Sequence, residues 1–511
     1  MNFQTEKQTV GLAETVLETT AEQSLEADLH LPDYCPEISR ILRCAVDTSV
    51  SGVQTQADQL TAHATATVRL FYLGENGEAA AYEQSYPVQG RVSLPPGAQA
   101  DVVSVQVQTE YANCRALDPR RAEVKAMLRF LFRAQSCKRE PFLTGVQGGG
   151  MQTMTASFPV ADLMGLAEKT FSLSEVAQLP EDHAPIARVL HTGACVVPGE
   201  IKIINNKALL KGDCEVTVHY LAESGAVESM THALPISQIL ELDGLTEDCM
   251  LQLRHEVRAA EAVTKTDAAD KAKLLELTVS VCVIAAAYRE STIQLLTDAY
   301  STQGSVNVRR RTAELFSTDQ QFQTSFTNKV VLESIGVAVR RVLAVWCEAP
   351  RATASLQDRS CCLSGSYQAG ILYEDEGGEI GCLQKTVAFD DRIELKTNAQ
   401  RIFAEADLQI LGAACVATGD SRLELRTEIS ASGMIFAQTL CSCVADLTAQ
   451  SAAQEDPSPA ALTIYFSEAG ESLWEIARRY RTTVEAIRTE NSLDADRITE
   501  KTMLLIPASI E

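Results

Sequence analysis

The sequence predicts a mainly β protein: three tandem β-rich, sandwich-like repeats with short helices at their joints, then one small α+β module of βααβ order. Three observations lead there. The chain resembles itself twice, at spacings near 150 residues. Each copy carries segments in which apolar and polar residues alternate with a period of two, the mark of a strand with one buried face. The stretch 463–507 abandons that alternation for helical spacing between two short β segments.

The repeat is carried by ungapped registers. "LPDYCPEISRIL" (31–42) meets "LPEDHAPIARVL" (179–190), pairing Leu31 with Leu179, Pro32 with Pro180, Ile38 with Ile186, Arg40 with Arg188 and Leu42 with Leu190. The same spacing of 148 places Tyr72 on Tyr220, Gly77 on Gly225 and Pro87 on Pro235. A third copy lies about 153 residues after the second. Leu210, Gly212, Tyr220 and Gly225 pair with Leu363, Gly365, Tyr373 and Gly378, and Arg188 with Arg341. This copy departs at its start, where Leu332-Glu333 replaces Leu-Pro. The expected units are residues 1–150, 151–305 and 306–447, a flexible linker at 448–461, and the terminal module at 462–511.

Within a copy, "CEVTVHYL" (214–221) sets Val216, Val218 and Tyr220 against Glu215, Thr217 and His219, and "AESGAV" supplies the turn. Further strands are expected in "VVSVQVQTEY" (102–111), "LLELTVSVCVIAA" (274–286) and "LELRTEISAS" (423–432). The best helical patterns ahead of the terminal module are "ASFPVADLMGLAEKT" (156–170) and "RRRTAELFSTDQQF" (309–322). A tandem row of β domains with open edges reads either as an assembly rod or as a set of spacers. The linker "TAQSAAQEDPSPAA" is polar and contains prolines, as a tether does.

Composition narrows the function classes. The 511 residues imply two to four domains, and 46% hydrophobic with 22% charged residues fits a folded globular chain. There are 44 basic and 68 acidic side chains, a net charge of −24, which argues against nucleic acid or an anionic membrane as partner. The longest apolar run, "VSVCVIAAAY", is about half of what a membrane span needs, so no direct membrane insertion is expected. The opening "MNFQTEKQTVGLAET" has neither a basic n-region nor an apolar h-region, so no secretory signal is expected. The 15 cysteines follow no framework spacing and contain no CxxC. Small buried hydrophobes in a reducing cytosol are their expected role.

Chemistry-bearing motifs are missing from the sequence. "GVQGGGM" (145–151) lacks the lysine of a phosphate loop and reads as a plain loop. No HExxH or GxSxG occurs. His183, His191 and Cys195 are too sparse for a metal site, and Cys361-Cys362 and the pair Cys441 and Cys443 read as packing residues. Tyr72, Tyr220 and Tyr373 precede a turn in each copy and read as structural. No catalytic, cofactor or metal residue is assigned.

In the terminal stretch, Gly470 turns the chain and Ser472 caps a helix in which Leu473, Ile476, Ala477 and Tyr480 form the apolar stripe. Thr482-Thr483 cap a second helix with Val484 and Ile487, Asn491 ends it, and "MLLIP" closes as a strand. Trp474 lies off the stripe by one helical step, about 100°, and is expected to be partly exposed, an interface anchor. This pattern, from Tyr465 through Leu493 and Ile498 to Leu504, Ile506 and Pro507, closely resembles the LysM domain. Glu471 stands where Asp is common in that family, and Lys501 where Gly is usual. The resemblance implies an N-acetylglucosamine glycan site in a groove between Gly470, Glu471, Ser472 and Leu473 on one side and Asn491, Ser492 and Leu493 on the other.

The upstream copies, through "LPEDHAPIARVL" and "LLKGDCEVTVHYL", resemble the SPOCS domain of spore-coat-associated proteins in endospore-forming Firmicutes. SPOCS copies followed by one LysM domain resemble the clostridial coat-assembly family that acts with the morphogenetic ATPase called stage IV sporulation protein A. That resemblance implies a non-enzymatic scaffold or adaptor at the forespore surface, on the mother-cell cytoplasmic side, with the LysM module as a protein-binding handle. Binding of peptidoglycan or another N-acetylglucosamine glycan is the alternative, and an enzyme with an unrecognised site the third reading.

Overall fold

Strand pairing organises almost the whole chain in the computed structural model, which describes residues 2–75, 79–333, 336–396, 398–419, 421–450 and 461–508. Repeat 1 holds β1 (Gln4–His30), β2 (Ile38–Gln56), β3 (Gln59–Gly74), β4 (Ala79–Ser93), β5 (Val102–Asp118) and β6 (Arg121–Gln147). β2, β3 and β4 form one antiparallel sheet; β1, β6 and β5 form the other, with β6 central. Alternation drives the pairing. In β3 every second residue from Leu60 to Tyr72 is buried, and in β6 those from Ala122 to Ala134 are, so each sheet gives one face to a shared core.

Repeat 2 comprises β7 (Met151–Gln178), β8 (Ile186–Ile204), β9 (Lys207–Ala222), β10 (Val227–Glu241), β11 (Cys249–Lys265) and β12 (Leu274–Ser301). Repeat 3 comprises β13 (Val306–Leu332), β14 (Val339–Gln357), β15 (Ser360–Asp375), β16 (Ile380–Glu394), β17 (Ile402–Gly419) and β18 (Arg422–Ala449). The topology is that of repeat 1, with sheets β8-β9-β10 and β7-β12-β11, then β14-β15-β16 and β13-β18-β17. Even the irregularities recur. The second strand skips a residue at Ser39, Ala187 and Arg340, and again at Leu42, Leu190 and Leu343. The first strand bulges at Val16, Met164 and Asp319.

The structure overturns the helices expected at 156–170 and 309–322. Both segments are strand, inside β7 and β13, and paired along their length with β12 and β18. The reason is tertiary. Beyond the bulge, the outer and central strands of each repeat run on together as a two-stranded arm, and the three arms cross each other. Apolar residues are therefore wanted on both faces: Val160, Ala161 and Leu163 are all buried. Such a run, broken by a bulge, imitates helical spacing. The crossing is close; a Cβ on Gly11 of β1 would stand 2.0 Å from the Leu163 carbonyl oxygen of β7.

The arms bury Val10, Phe142, Val160, Ile293, Leu295, Leu315, Cys441 and Cys443 in one shared cluster, the hub. Arm ends also serve as the joints. β6 turns into β7 through Gly148, Gly149 and Gly150, all at positive φ; the loop expected of "GVQGGGM" narrows to these three, since 145–147 end β6 and Met151 begins β7. Repeats 1 and 3 meet as well: Arg133 pairs with Glu405 at 2.6 Å and Arg40 with Glu379 at 3.0 Å. The three units close into a triad, not a rod. Tyr72 and Tyr220 are fully buried, and the Tyr72 hydroxyl donates to the Pro36 carbonyl at 3.0 Å. Cys361, Cys362, Cys441 and Cys443 are buried packing residues. Gly77 and most of the expected linker, 451–460, lie outside the described residues.

All three repeats meet at one further cluster. His191 stacks on Trp346 (centroids 5.2 Å apart) and on His219 (6.0 Å), while the Arg43 guanidinium lies 4.5 Å over the Trp346 ring. Burial holds both imidazoles below the usual histidine range, His191 well below it, with the positive charges of Arg43 and Arg69 adding to the effect on His191. Glu348, whose Oε1 is 3.2 Å from His191 Nε2, is pushed the opposite way, first by burial and then by Asp47. The signs oppose. Depressed histidines contribute stability that is present above pH 6.5 and lost as pH falls; a raised carboxyl contributes stability that is lost as pH rises. Two deeply buried rings outweigh one carboxylate with 40% of its side chain exposed. The unfolding free energy is therefore expected to fall as pH drops from 7.5 to 5.5, by at most about 1.4 kcal/mol per pH unit per imidazole, and the melting temperature to fall with it. His191→Phe should flatten that slope in a thermal-melt series; an unchanged slope would count against the assignment.

Candidate functional site: the C-terminal module and its dock

The terminal module is built as its residues suggest. β19 (Leu462–Ser467) pairs antiparallel with β20 (Thr502–Pro507), and between them lie α1 (Leu473–Tyr480) and α2 (Val484–Asn491). Gly470 sits at φ 94°, a turn that only glycine takes without strain. Ser472 caps α1 by accepting from the Trp474 N–H, and Thr483 caps α2 by accepting from the Ala486 N–H. Each helix ends on a left-handed residue, Arg481 and Ser492. Leu473, Ile476, Ala477, Ile487, Ile498, Leu504 and Ile506 fill the core. Lys501 does not use a positive φ, so no glycine is required there; its ammonium pairs with Glu468 at 2.7 Å.

Gly470, Glu471, Ser472 and Leu473 lie together, but the loop zipped to them is 496–498, not 491–493. The Gly470 N–H donates to the Ile498 carbonyl (2.7 Å), Leu473 N–H to the Asp496 carbonyl (2.9 Å), and Ile498 N–H to the Glu471 carbonyl (2.9 Å). The Glu471 carboxylate accepts from the Tyr465 hydroxyl at 2.8 Å and from the Glu468 N–H at 3.0 Å, and these bonds hold it below the usual carboxylate range. The Asn491 side chain donates to the Leu505 carbonyl and accepts from the Leu505 N–H, both at 2.7 Å, tying α2 to β20. Leu473 is buried and Leu493 half-buried in the core, leaving Gly470 and Ser492 as the exposed members of the set.

Trp474 does not stand free. Its ring packs edge-on against Tyr300 of β12 (centroids 4.8 Å apart), and its Nε1–H donates to Asp298 Oδ2 at 2.9 Å. It is an anchor, as its position off the stripe suggested, but for the chain's own arm. Asp298, 9% exposed, also accepts from Arg478 of α1 at 3.1 Å and from Arg310 of β13. The Tyr300 hydroxyl donates to the Thr482 carbonyl at 2.7 Å, and burial pushes this phenol up to about 12. Arg481 reaches Ser305 at 3.0 Å. Sequence reasoning missed Asp298 and Tyr300 because nothing local marks them: the pair lies more than 170 residues upstream of Trp474.

Away from the dock, the module shows an apolar face. Leu462, Ile464 and Phe466 project outward from β19, and Met503, directly opposite Phe466 in register, projects from β20; all four are exposed.

Residues 468–507 match the family model described as LysM domain. The terminal module is a LysM domain. Residues 185–264, which span β8 to β11 of repeat 2, match the model described as SipL, SPOCS domain. No curated protein and no solved structure matches the chain. The SPOCS and LysM domains together fit a sporulation-related protein. Among the described residues, no helix is long and apolar enough to cross a membrane, and no group of three or more His, Cys, Asp or Glu side chains is placed to hold a metal ion.

The dock should depend on Asp298. Removing its carboxylate leaves Trp474 Nε1 and two guanidiniums without their acceptor. Both arginines keep 40% or more of their side-chain surface, which discounts the loss to about 1–2 kcal/mol. In Asp298→Ala, the LysM domain should melt separately from the triad in calorimetry and Trp474 emission should shift to the red. A single, unshifted transition would refute the dock.

Proposed function

We propose that this protein is a non-enzymatic scaffold or adaptor of the spore envelope, working in the mother-cell cytoplasm at the forespore surface. Its LysM domain is the handle for a coat morphogenetic partner, an ATPase of the stage IV sporulation protein A type. One observation carries the choice of a protein over a glycan: the outward row Leu462, Ile464, Phe466 and Met503 on a module whose opposite side is fastened to the triad. Exposed apolar rows on a small rigid domain suit protein partners. The groove residues Glu471 and Asn491, by contrast, spend their polar groups inside the module. In this reading the exposed lip of Gly470 and Ser492 borders the contact surface, and Trp474 sets the module's orientation.

The test has two arms. A fluorescent fusion should form a ring around the forespore in sporulating cells, and a diffuse signal would count against the scaffold reading. In a pull-down with the purified coat ATPase, Phe466→Asp should reduce capture at least tenfold while a peptidoglycan or chitin pull-down stays negative. Tight retention on the glycan, with the ATPase ignored, would replace this reading by the glycan-binding alternative.

A further inference from the structure

Each repeat has a seam where the outer strand of its long sheet runs beside the last strand of its short sheet. In repeats 1 and 2 this seam is closed. β1 packs along β4, with Tyr86 in the gap, its hydroxyl enclosed and Asp28 of β1 beside it. β7 packs along β10, where His232 Nε2 stands 3.3 Å from Glu175 Oε1. In repeat 3 the seam opens. Val330, Val331 and Leu332 of β13, with Glu333 just past its end, face Lys385, Thr386, Val387 and Ala388 of β16 across a slot of about 490 Å³.

The registers explain the difference. Lys385 pairs with Ala369, as His232 pairs with Val216 in repeat 2; Val330 pairs with Leu425, as Glu175 pairs with Leu277. Repeat 3 thus places a lysine opposite a valine where repeat 2 places a histidine opposite a glutamate, and the closing contact is lost. A second change concerns the backbone. Pro87 faces Thr65, Pro235 faces Asp213 and Ala388 faces Ser366, the same place in each ladder. A proline in an edge strand removes the outward N–H that another strand would use. Repeats 1 and 2 are blunted in this way and repeat 3 is not. The edge groups of β16 do face the seam: the Asn328 amide donates to the Ala388 carbonyl at 3.0 Å, and the Gln320 amide to the Glu394 carbonyl at 2.8 Å. Thr386 lies two residues from Ala388 and turns the same way.

We propose that this slot takes an extended segment of another polypeptide, of basic character, which adds to β16 as an edge strand. The chain's own segment between Gln450 and Ala461 cannot supply it. That segment leaves β18 next to Val306, and Val330 is 24 residues further along β13, roughly 80 Å at about 3.3 Å per residue. Ten extended residues reach about 35 Å. A second copy is disfavoured because each chain carries a charge of −24. The same charge draws a basic segment. The buried Val387 and Leu332 at the floor ask for apolar side chains at alternate positions; of the two charged lining residues, Glu333 already lies 3.7 Å from Arg422 and Lys385 is itself an exposed cation, so the basic preference rests on the net charge of the chain.

The probe is a labelled ten-residue peptide of alternating lysine and valine, titrated into the full chain by fluorescence anisotropy, with an alternating glutamate and valine peptide as control. Saturable binding of the basic peptide is expected, with slowed amide exchange at Thr386 and Ala388. Ala388→Pro, which restores the residue of the other repeats, should weaken binding at least tenfold without lowering the melting temperature. The double variant Val330→Glu/Lys385→His, which rebuilds the repeat 2 contact, should do the same. Equal binding to both variants, no saturable binding, or preference for the acidic peptide would overturn the proposal. Concentration-dependent dimers that Ala388→Pro abolishes would reassign the slot to a second copy.

Discussion

A two-stranded ribbon is at best marginal in water, because one of its faces has nothing to lie on. This chain extends three such ribbons past their parent sheets, and everything else depends on how they cover one another. In the hub formed by Val10, Phe142, Val160, Ile293, Leu295 and Leu315 all three arms contribute apolar side chains to one cluster, and nearer the arm ends they do so again through Leu143, Val146, Leu296, Ala299, Val444 and Leu447. Its existence obliges the repeats to converge. Once they converge, the short sheets are brought edge to edge, and Arg43, His191 and Trp346, one from each repeat, stack where those sheets meet. The constraint also explains the placement of glycine: Gly11 is needed where one arm crosses the backbone of the next.

The LysM domain uses the same geometry from outside. Its contacts fall on the far end of an arm, at Asp298 and Tyr300, close to the turn that leads into repeat 3. The corresponding places in β6 and β18 hold Gly145 and Asp446, followed by Gln147 and Thr448. The carboxylate recurs in repeat 3, but an aromatic ring two residues on is found in repeat 2 alone among the three arms. A dock made of a T-shaped ring pair and a shared carboxylate therefore singles out one arm from three that are otherwise built alike.

Much of this was legible in the residues, and the limits follow from physics. The period near 150, the strand alternation and the capped βααβ module are local or nearly local signals, and the structure follows them down to Ser472 and Thr483 as caps. The segment 156–170 was misread because a strand covered on both faces no longer alternates, and 309–322 because the bulge at Asp319 breaks the phase of an alternation that buries Ala313 and Leu315 and exposes Thr312 and Glu314. Closure of the three units left no trace in any one repeat, since Arg133 and Glu405 are 272 residues apart. At the candidate site, Trp474 was recognisable as an anchor from its helical phase. What it anchors to was not, because a lone Asp and a lone Tyr in a long strand carry no spacing. The coincidence of Pro87 with Pro235 was visible as a register match; its meaning as a blunted edge required seeing which strands are edges.

The fastening of the LysM domain to one arm end gives an almost three-fold body a heading. A symmetric triangle laid on a surface can present any of three equivalent corners, and a layer assembled from it would have no built-in direction. Here one vertex is keyed, so anything bound by the module would arrive at a fixed azimuth to all three β blocks, and neighbouring particles recruited through it would share a common bearing.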